Sequence, residues 1–139
     1  MSKEKLIQGL NEDLAAELGT IIRYTYQASQ CVGPAGLGVR AMLREETADE
    51  LGHAKFLMDT IVDLGGEPTT TPKPFDKPDG LKAMLKLDME MELEDVEQYK
   101  AHAKLAEELD EIDLQMALED MAADEAGHAR ELRRILKGL

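Results

Sequence analysis

Two octapeptides carry the chemistry of this chain. Residues 48–55 read ADELGHAK and residues 123–130 read ADEAGHAR, 75 positions later. Each contains Glu-x-x-His: Glu50 with His53, and Glu125 with His128. On a helix, residues three apart share a face, about 5–6 Å between Cβ atoms, so each pair can aim a carboxylate and an imidazole at one point. The offset recurs upstream, where Glu17-Leu18, Tyr24 and Ala28 are echoed by Glu92-Leu93, Tyr99 and Ala103. Each Glu of that upstream element precedes the next Glu-x-x-His by 33 residues. Glu17, Glu50, His53, Glu92, Glu125 and His128 thus form a complete ligand set for two metal ions inside four helices. Glu50 and Glu125 can bridge the ions, Glu17 and Glu92 can serve as terminal carboxylates, and each histidine can bind one ion. Six such ligands suit two ions roughly 3.5–4 Å apart. Four carboxylates balance two divalent charges, and oxygen with imidazole suits iron, with manganese as the alternative.

One Glu-x-x-His on an acidic helix would carry little weight. Two at equivalent positions, each behind an equivalent Glu, carry much more. A duplication kept for packing alone would favour apolar residues at core positions, because burying Glu or His without a partner costs roughly 2–7 kcal/mol.

The neighbours of these six divide less sharply. Asp49 and Asp124 precede the two bridging glutamates and can accept the free imidazole N–H of the histidine from the other hairpin, or face solvent. Tyr24 and Tyr99 lie two turns beyond Glu17 and Glu92; each reads as a core aromatic whose hydroxyl meets a glutamate, with a redox role as the lesser reading. Glu46, one turn before Glu50, reads as a solvated carboxylate, with a part in metal uptake as the alternative. His102 reads as a surface or rim histidine. The eight methionines are core filling by default.

Four helices must position these groups. The first spans about residues 3–31, with Leu6, Ile7, Leu10, Leu14, Leu18, Ile21 and Ile22 at three- and four-residue spacing. Gly33, Pro34, Gly36 and Gly38 read as a short loop. The second helix spans about 39–64 and closes at Gly65-Gly66. Residues 66–79 hold four of the five prolines and read as a stiff crossover, long enough at roughly 3.3 Å per residue to run the length of a bundle. The third helix runs from Asp79, a candidate N-cap, to about 109, and the fourth from about 112 to 137. The fold class is therefore all-α: two antiparallel helical hairpins joined by one long crossover, the connectivity of a ferritin-like four-helix bundle. The 139 residues make one domain.

Composition narrows the function classes. A net charge of −13 argues against nucleic acid as a partner and is compatible with attracting cations. Cys31 is the only cysteine, which excludes an intrachain disulfide and any four-thiolate cluster. No uncharged run of about 18 residues appears, and the N-terminus has no signal-type apolar core, so a cytoplasmic protein without membrane contact is expected.

With these residues in view, the chain resembles the bacterioferritins, from about Leu6 to Leu136. The segments that carry the likeness are LNEDLAAEL with Glu17 and the Tyr24 beyond it, DELGHA with Glu50 and His53, LGGEP, DMEMELE with Glu92, and DEAGHA with Glu125 and His128. The resemblance implies a di-iron centre that oxidises Fe(II) with dioxygen or peroxide in iron storage or detoxification. Haem-binding members carry Met directly after the first bridging Glu; Leu51 stands there, so no haem is expected. The chain also stops at Leu139, short of the fifth helix of cage-forming members, which makes a closed cage less expected than a homodimer. Ile22, Tyr26, Met42 and Leu51 are candidates for the dimer face. Rubrerythrins share the ligand types but add a four-cysteine iron site and a Glu one turn after the helix-three ligand, where this chain has Asp95. A ferroxidase is the leading reading. The alternatives are a peroxide reductase lacking a rubredoxin domain, and a bundle that uses metal for stability only.

Overall fold

The computed structural model describes residues 2–139. Four helices account for most of it: α1 (Lys3–Gln30), α2 (Gly33–Asp63), α3 (Leu81–Glu108) and α4 (Ile112–Lys137). α1 packs along α2 and α3 along α4, and the two hairpins meet chiefly where α1 faces α3. This is the expected four-helix bundle with one long crossover. No described helix is long and apolar enough to cross a membrane.

Two boundaries differ from the sequence-based expectation. α2 begins at Gly33, not near Val39, so only Cys31 and Val32 separate it from α1. Pro34 lies in the first turn, where its missing N–H removes no helical hydrogen bond, and Gly36 and Val39 are already buried there. A cluster of breakers thus opens a helix in place of a loop. α3 begins after Gly80, whose φ of 91° suits glycine, and no side chain caps it; Asp79 is not the cap.

The crossover follows α1 from end to end. The Asn11 side chain donates to the Glu67 carbonyl (3.1 Å) and accepts from the Thr69 N–H (2.8 Å). The Lys73 N–H donates to the Ala15 carbonyl at 2.8 Å, and the Lys77 ammonium lies 5.0 Å from the centre of the Tyr26 ring. A Cβ on Gly19 would stand 2.5 Å from the Lys73 carbonyl oxygen, so this close approach requires glycine.

Inside the bundle, apolar side chains form two clusters. One includes Leu6, Leu10, Leu14, Leu57, Ile61, Ala106, Leu114 and Leu118. The other includes Tyr24, Ala28, Cys31, Val39, Leu43, Leu85 and Leu132. Buried acids, histidines and one arginine also occupy the interior, which apolar packing alone would not select.

Candidate metal centre

Each hairpin brings half of the centre. Glu17 comes from α1, Glu50 and His53 from α2, Glu92 from α3, Glu125 and His128 from α4. All four glutamates are fully buried and the two histidines nearly so. Their ligand atoms converge in two groups, Glu17, Glu50, His53 and Glu125 in one, Glu50, Glu92, Glu125 and His128 in the other, each within 4.8 Å. Glu50 and Glu125 belong to both. The six residues singled out by spacing are therefore brought together.

The histidines are oriented by the hairpin opposite. His53 Nε2 lies 2.9 Å from Asp124 Oδ2, and His128 Nε2 lies 3.1 Å from Asp49 Oδ2. Both aspartates are half-exposed, so they accept from the imidazole while keeping contact with water. With Nε2 donating outward, Nδ1 is left as the nitrogen that faces the carboxylates. His53 Nδ1 is 2.9 Å from Glu17 Oε2 and 3.4 Å from Glu125 Oε1; His128 Nδ1 is 3.3 Å from Glu50 Oε1 and 3.8 Å from Glu92 Oε2. Asp49 and Asp124 thus take the orienting role, not a purely solvated one.

Charge is crowded here. Burial first, then repulsion from Glu50, pushes the Glu17 carboxyl well above the ordinary range. Burial and the neighbouring Glu92 carboxylate do the same to Glu125. Glu92 moves the other way: burial opposes its charge, but the Glu125 carboxyl and His128 beside it and the Tyr24 hydroxyl bonded to it outweigh that cost. His128 rises to about 11, because the Glu50 and Glu92 carboxylates that face its Nδ1 at 3.3 and 3.8 Å outweigh burial. Seven buried polar atoms of the six residues have no hydrogen-bond partner: Glu17 Oε1, both oxygens of Glu50 and of Glu125, Glu92 Oε2 and His128 Nδ1. Buried carboxylate oxygens are almost always paired, and so many orphans aimed at one point fit a bound cation.

The flanking residues divide. The Tyr24 hydroxyl donates to Glu92 Oε1, as expected. Tyr99 is as deeply buried, yet its hydroxyl has no partner, and its ring meets that of His53 edge-on at 6.3 Å. Glu46 is not solvated: it is 5% exposed, and burial lifts its carboxyl to about 8. His102 is not at a rim either. It is buried, with Nδ1 2.6 Å from Asp13 Oδ2, and Gly9 leaves the room its ring needs.

A second repeat went unread in the sequence. Asp13 and Asp88, 75 residues apart, each stand one turn before a glutamate of the centre, and both are buried. Asp13 pairs with His102; Asp88 pairs with Gln27, the residue equivalent to His102, at 2.9 Å. Arg23, fully buried, adds an ion pair to Asp88 at 2.8 Å. Because the same offset relates both pairs, the repeat that revealed the glutamates also held the signal for these.

Comparison with known proteins agrees with this geometry. Residues 7–139 match the family model of the ferritin-like domain. A bacterioferritin of Brucella melitensis biotype 1 is 28% identical over 127 residues, 89% of this chain and 78% of that protein. A ferritin-like, diiron-carboxylate protein of Bacillus anthracis superposes with a TM-score of 0.95 at 38% identity, over 98% of this chain and 99% of that one. The bacterioferritin of Desulfovibrio desulfuricans, whose diiron site has been seen in different catalytic states, gives 0.90 at 26% identity, over 97% and 80%. The chain belongs to the ferritin-like domain family.

Proposed function

We propose that this protein is a ferroxidase, oxidising Fe(II) to Fe(III) with dioxygen or peroxide in iron storage or detoxification. The observation that carries this reading is the set of seven unpartnered buried atoms, shared between two ligand groups with Glu50 and Glu125 common to both. In this reading Glu17 and His53 hold one ion, Glu92 and His128 the other, and Glu50 and Glu125 bridge them. Iron is the substrate, and its oxidation is balanced by the oxidant. Two Fe(II) give up two electrons, which with two protons convert dioxygen to peroxide, or peroxide to two waters.

The chain's own residues prepare this chemistry. The outward hydrogen bonds to Asp124 and Asp49 fix each imidazole with Nδ1 inward. Tyr24 holds Glu92 in place through its hydroxyl. Burial and repulsion from neighbouring carboxylates push Glu17 and Glu125 well above the ordinary range, so binding a cation there favours release of their protons. Iron fits the donor set and manganese is the competing ion. The protein acts in the cytoplasm as a homodimer: Ile22 (48%) and Leu51 (46%) expose apolar surface on α1 and α2, while Met42 and Tyr26 are only partly buried.

The test is a titration of metal-free protein with Fe(II), following oxygen uptake and absorbance together. Oxidation of two Fe(II) per chain with matching oxygen consumption is expected. Binding without oxygen consumption would leave a metal-stabilised bundle, and turnover with peroxide and an external reductant alone would leave a peroxide reductase.

A further inference from the structure

The α1–α2 hairpin carries a groove of about 430 Å³, lined by none of the residues of the metal centre. Arg40 and Arg44 of α2 line it, with the hydroxyls of Thr25 and Ser29 from α1 and of Thr47 from α2. The two arginines are four residues apart, hence one turn apart on one helix face, where like charges repel. The chain has 29 acids against 16 lysines and arginines, yet no acid lines this groove. Among the described residues, the lysines and arginines in ion pairs are Arg23, Lys73 and Lys100, and neither Arg40 nor Arg44 takes part. Arg40 Nε is also buried without a hydrogen-bond partner. A buried donor left unmatched costs free energy that an acceptor entering the groove would recover.

The repeat provides an internal comparison. The positions 75 residues on, Lys100, Lys104, Gln115 and Glu119, line a groove of about 140 Å³ between α3 and α4. There the charges are balanced within the chain. Lys100 pairs with Glu97 at 3.4 Å, Gln115 donates to Glu107 at 2.8 Å, and Glu119 stands where α2 has Arg44. Of the two equivalent grooves, only the one on α1–α2 leaves its positive charge open. Complementing the carboxyl end of α1 accounts for one arginine at most. The charge of Arg40 acts on Cys31, which caps that helix, and Arg44 lies a further turn along α2. The Thr25, Ser29 and Thr47 hydroxyls donate to carbonyls of their own helices, but each can rotate its proton toward an incoming oxygen.

We propose that the α1–α2 groove binds a phosphate-class oxyanion between the Arg40 and Arg44 guanidiniums. Two planar forks of donors suit the several oxygens of such an anion, and a single ligand then neutralises both like charges. It also gives Arg40 Nε the acceptor that the chain withholds. The groove shares no residue with the metal centre, so the site stands whether or not that centre oxidises iron.

The test is calorimetry with inorganic phosphate on the full-length protein in a phosphate-free, low-salt buffer. One phosphate per chain should bind saturably, and added salt should weaken it. Arg40→Met and Arg44→Met should each weaken binding by about tenfold or more, the effect of losing one charge-assisted hydrogen bond. Lys100→Met combined with Lys104→Met, in the balanced groove, should change it by less than about twofold. Absence of saturable binding by the wild type, or equal weakening in the lysine variant, would overturn the proposal. So would binding that disappears when metal is removed from the protein, because the phosphate would then sit on the ion. A wild type that binds no phosphate, together with a lower mass of Arg44→Met in light scattering, would assign the arginines to a carboxylate of a second copy instead. If Arg40→Met does not fold, the variant at exposed Arg44 decides alone.

Discussion

Replacing Arg23 with Met removes the cation that faces Asp88 inside the bundle. Both side chains are fully buried, with Nε 2.8 Å from Oδ1; Gln27 bonds the same oxygen, and Oδ2 has no partner. Even with Arg23 present, burial outweighs its attraction and lifts Asp88 from 3.8 to about 6. The folded-state value lies above the unfolded one, so folding favours the protonated acid. That contribution is complete below 3.8 and is lost as pH rises through about 6. Without Arg23, Asp88 escapes by taking up a proton, which costs about 1.4 kcal/mol at pH 7 and almost nothing at pH 5. Loss of the charge-assisted hydrogen bond adds about 1.5–3 kcal/mol at either pH. Arg23→Met should therefore cost about 3–4 kcal/mol at pH 7 and about 1.5–3 kcal/mol at pH 5, near the range for a broken buried pair. Urea unfolding of metal-free protein, followed by circular dichroism at both pH values, measures this. Adding Asp88→Asn should return about 1.4 kcal/mol of the loss at pH 7 and almost nothing at pH 5, since no proton then has to be taken up. A loss below about 1 kcal/mol at pH 7, no pH dependence, or no recovery in the double variant would refute the reasoning.

Glu50→Ala and Glu125→Ala should each abolish Fe(II) oxidation, because each removes a shared bridge, whereas Glu46→Ala should at most slow metal uptake; equal damage from Glu46→Ala would displace the ligand assignment. Loading the centre at pH 7 should release protons and raise the melting temperature, since burial and repulsion hold Glu17 and Glu125 well above the ordinary range. Calorimetry in buffers of different ionisation enthalpy reads the release, and a heat independent of buffer would contradict it. His102 is raised above 6.5 by its bond to Asp13 despite burial, so its contribution is complete below pH 6.5 and lost as pH climbs through the elevated value. His102→Gln, copying Gln27, should therefore lose stability at pH 6 and recover relative to wild type at higher pH; a deficit constant from pH 6 to 9 would exclude the pairing. Light scattering should give about 31 kDa, twice the 15.4 kDa chain, and the purified protein should show no Soret band. A mass of one chain, or bound haem, would overturn the inferences from Ile22 and Leu51.

The bundle was legible because helical periodicity and a long Pro-rich stretch are local properties of the chain. Glu-x-x-His needs only one helix to bring its two groups together, and the 75-residue offset supplied the second pair and the two terminal glutamates. The breakers at Gly33, Pro34, Gly36 and Gly38 misled, since the same residues that stop a helix can open one when their backbone donors need no partner.

Burial was the harder quantity. Nothing local distinguishes Glu46, on a face that could be wet, from Glu50 one turn later. Only the packing of the second hairpin against the first shuts both away from water. His102 looked peripheral because its partner, Asp13, lies 89 residues distant in the chain. Arg23, Asp88 and Asp95 are ordinary helix residues until α1 and α3 come face to face. The chain by itself determined which residue types recur at which spacing, and hence the candidate ligand set, since periodicity and duplication are written along one dimension. Tertiary structure alone decided which acids lose their water and which nitrogen of each histidine faces inward, because desolvation and hydrogen-bond partners depend on neighbours that only folding brings within a few ångströms.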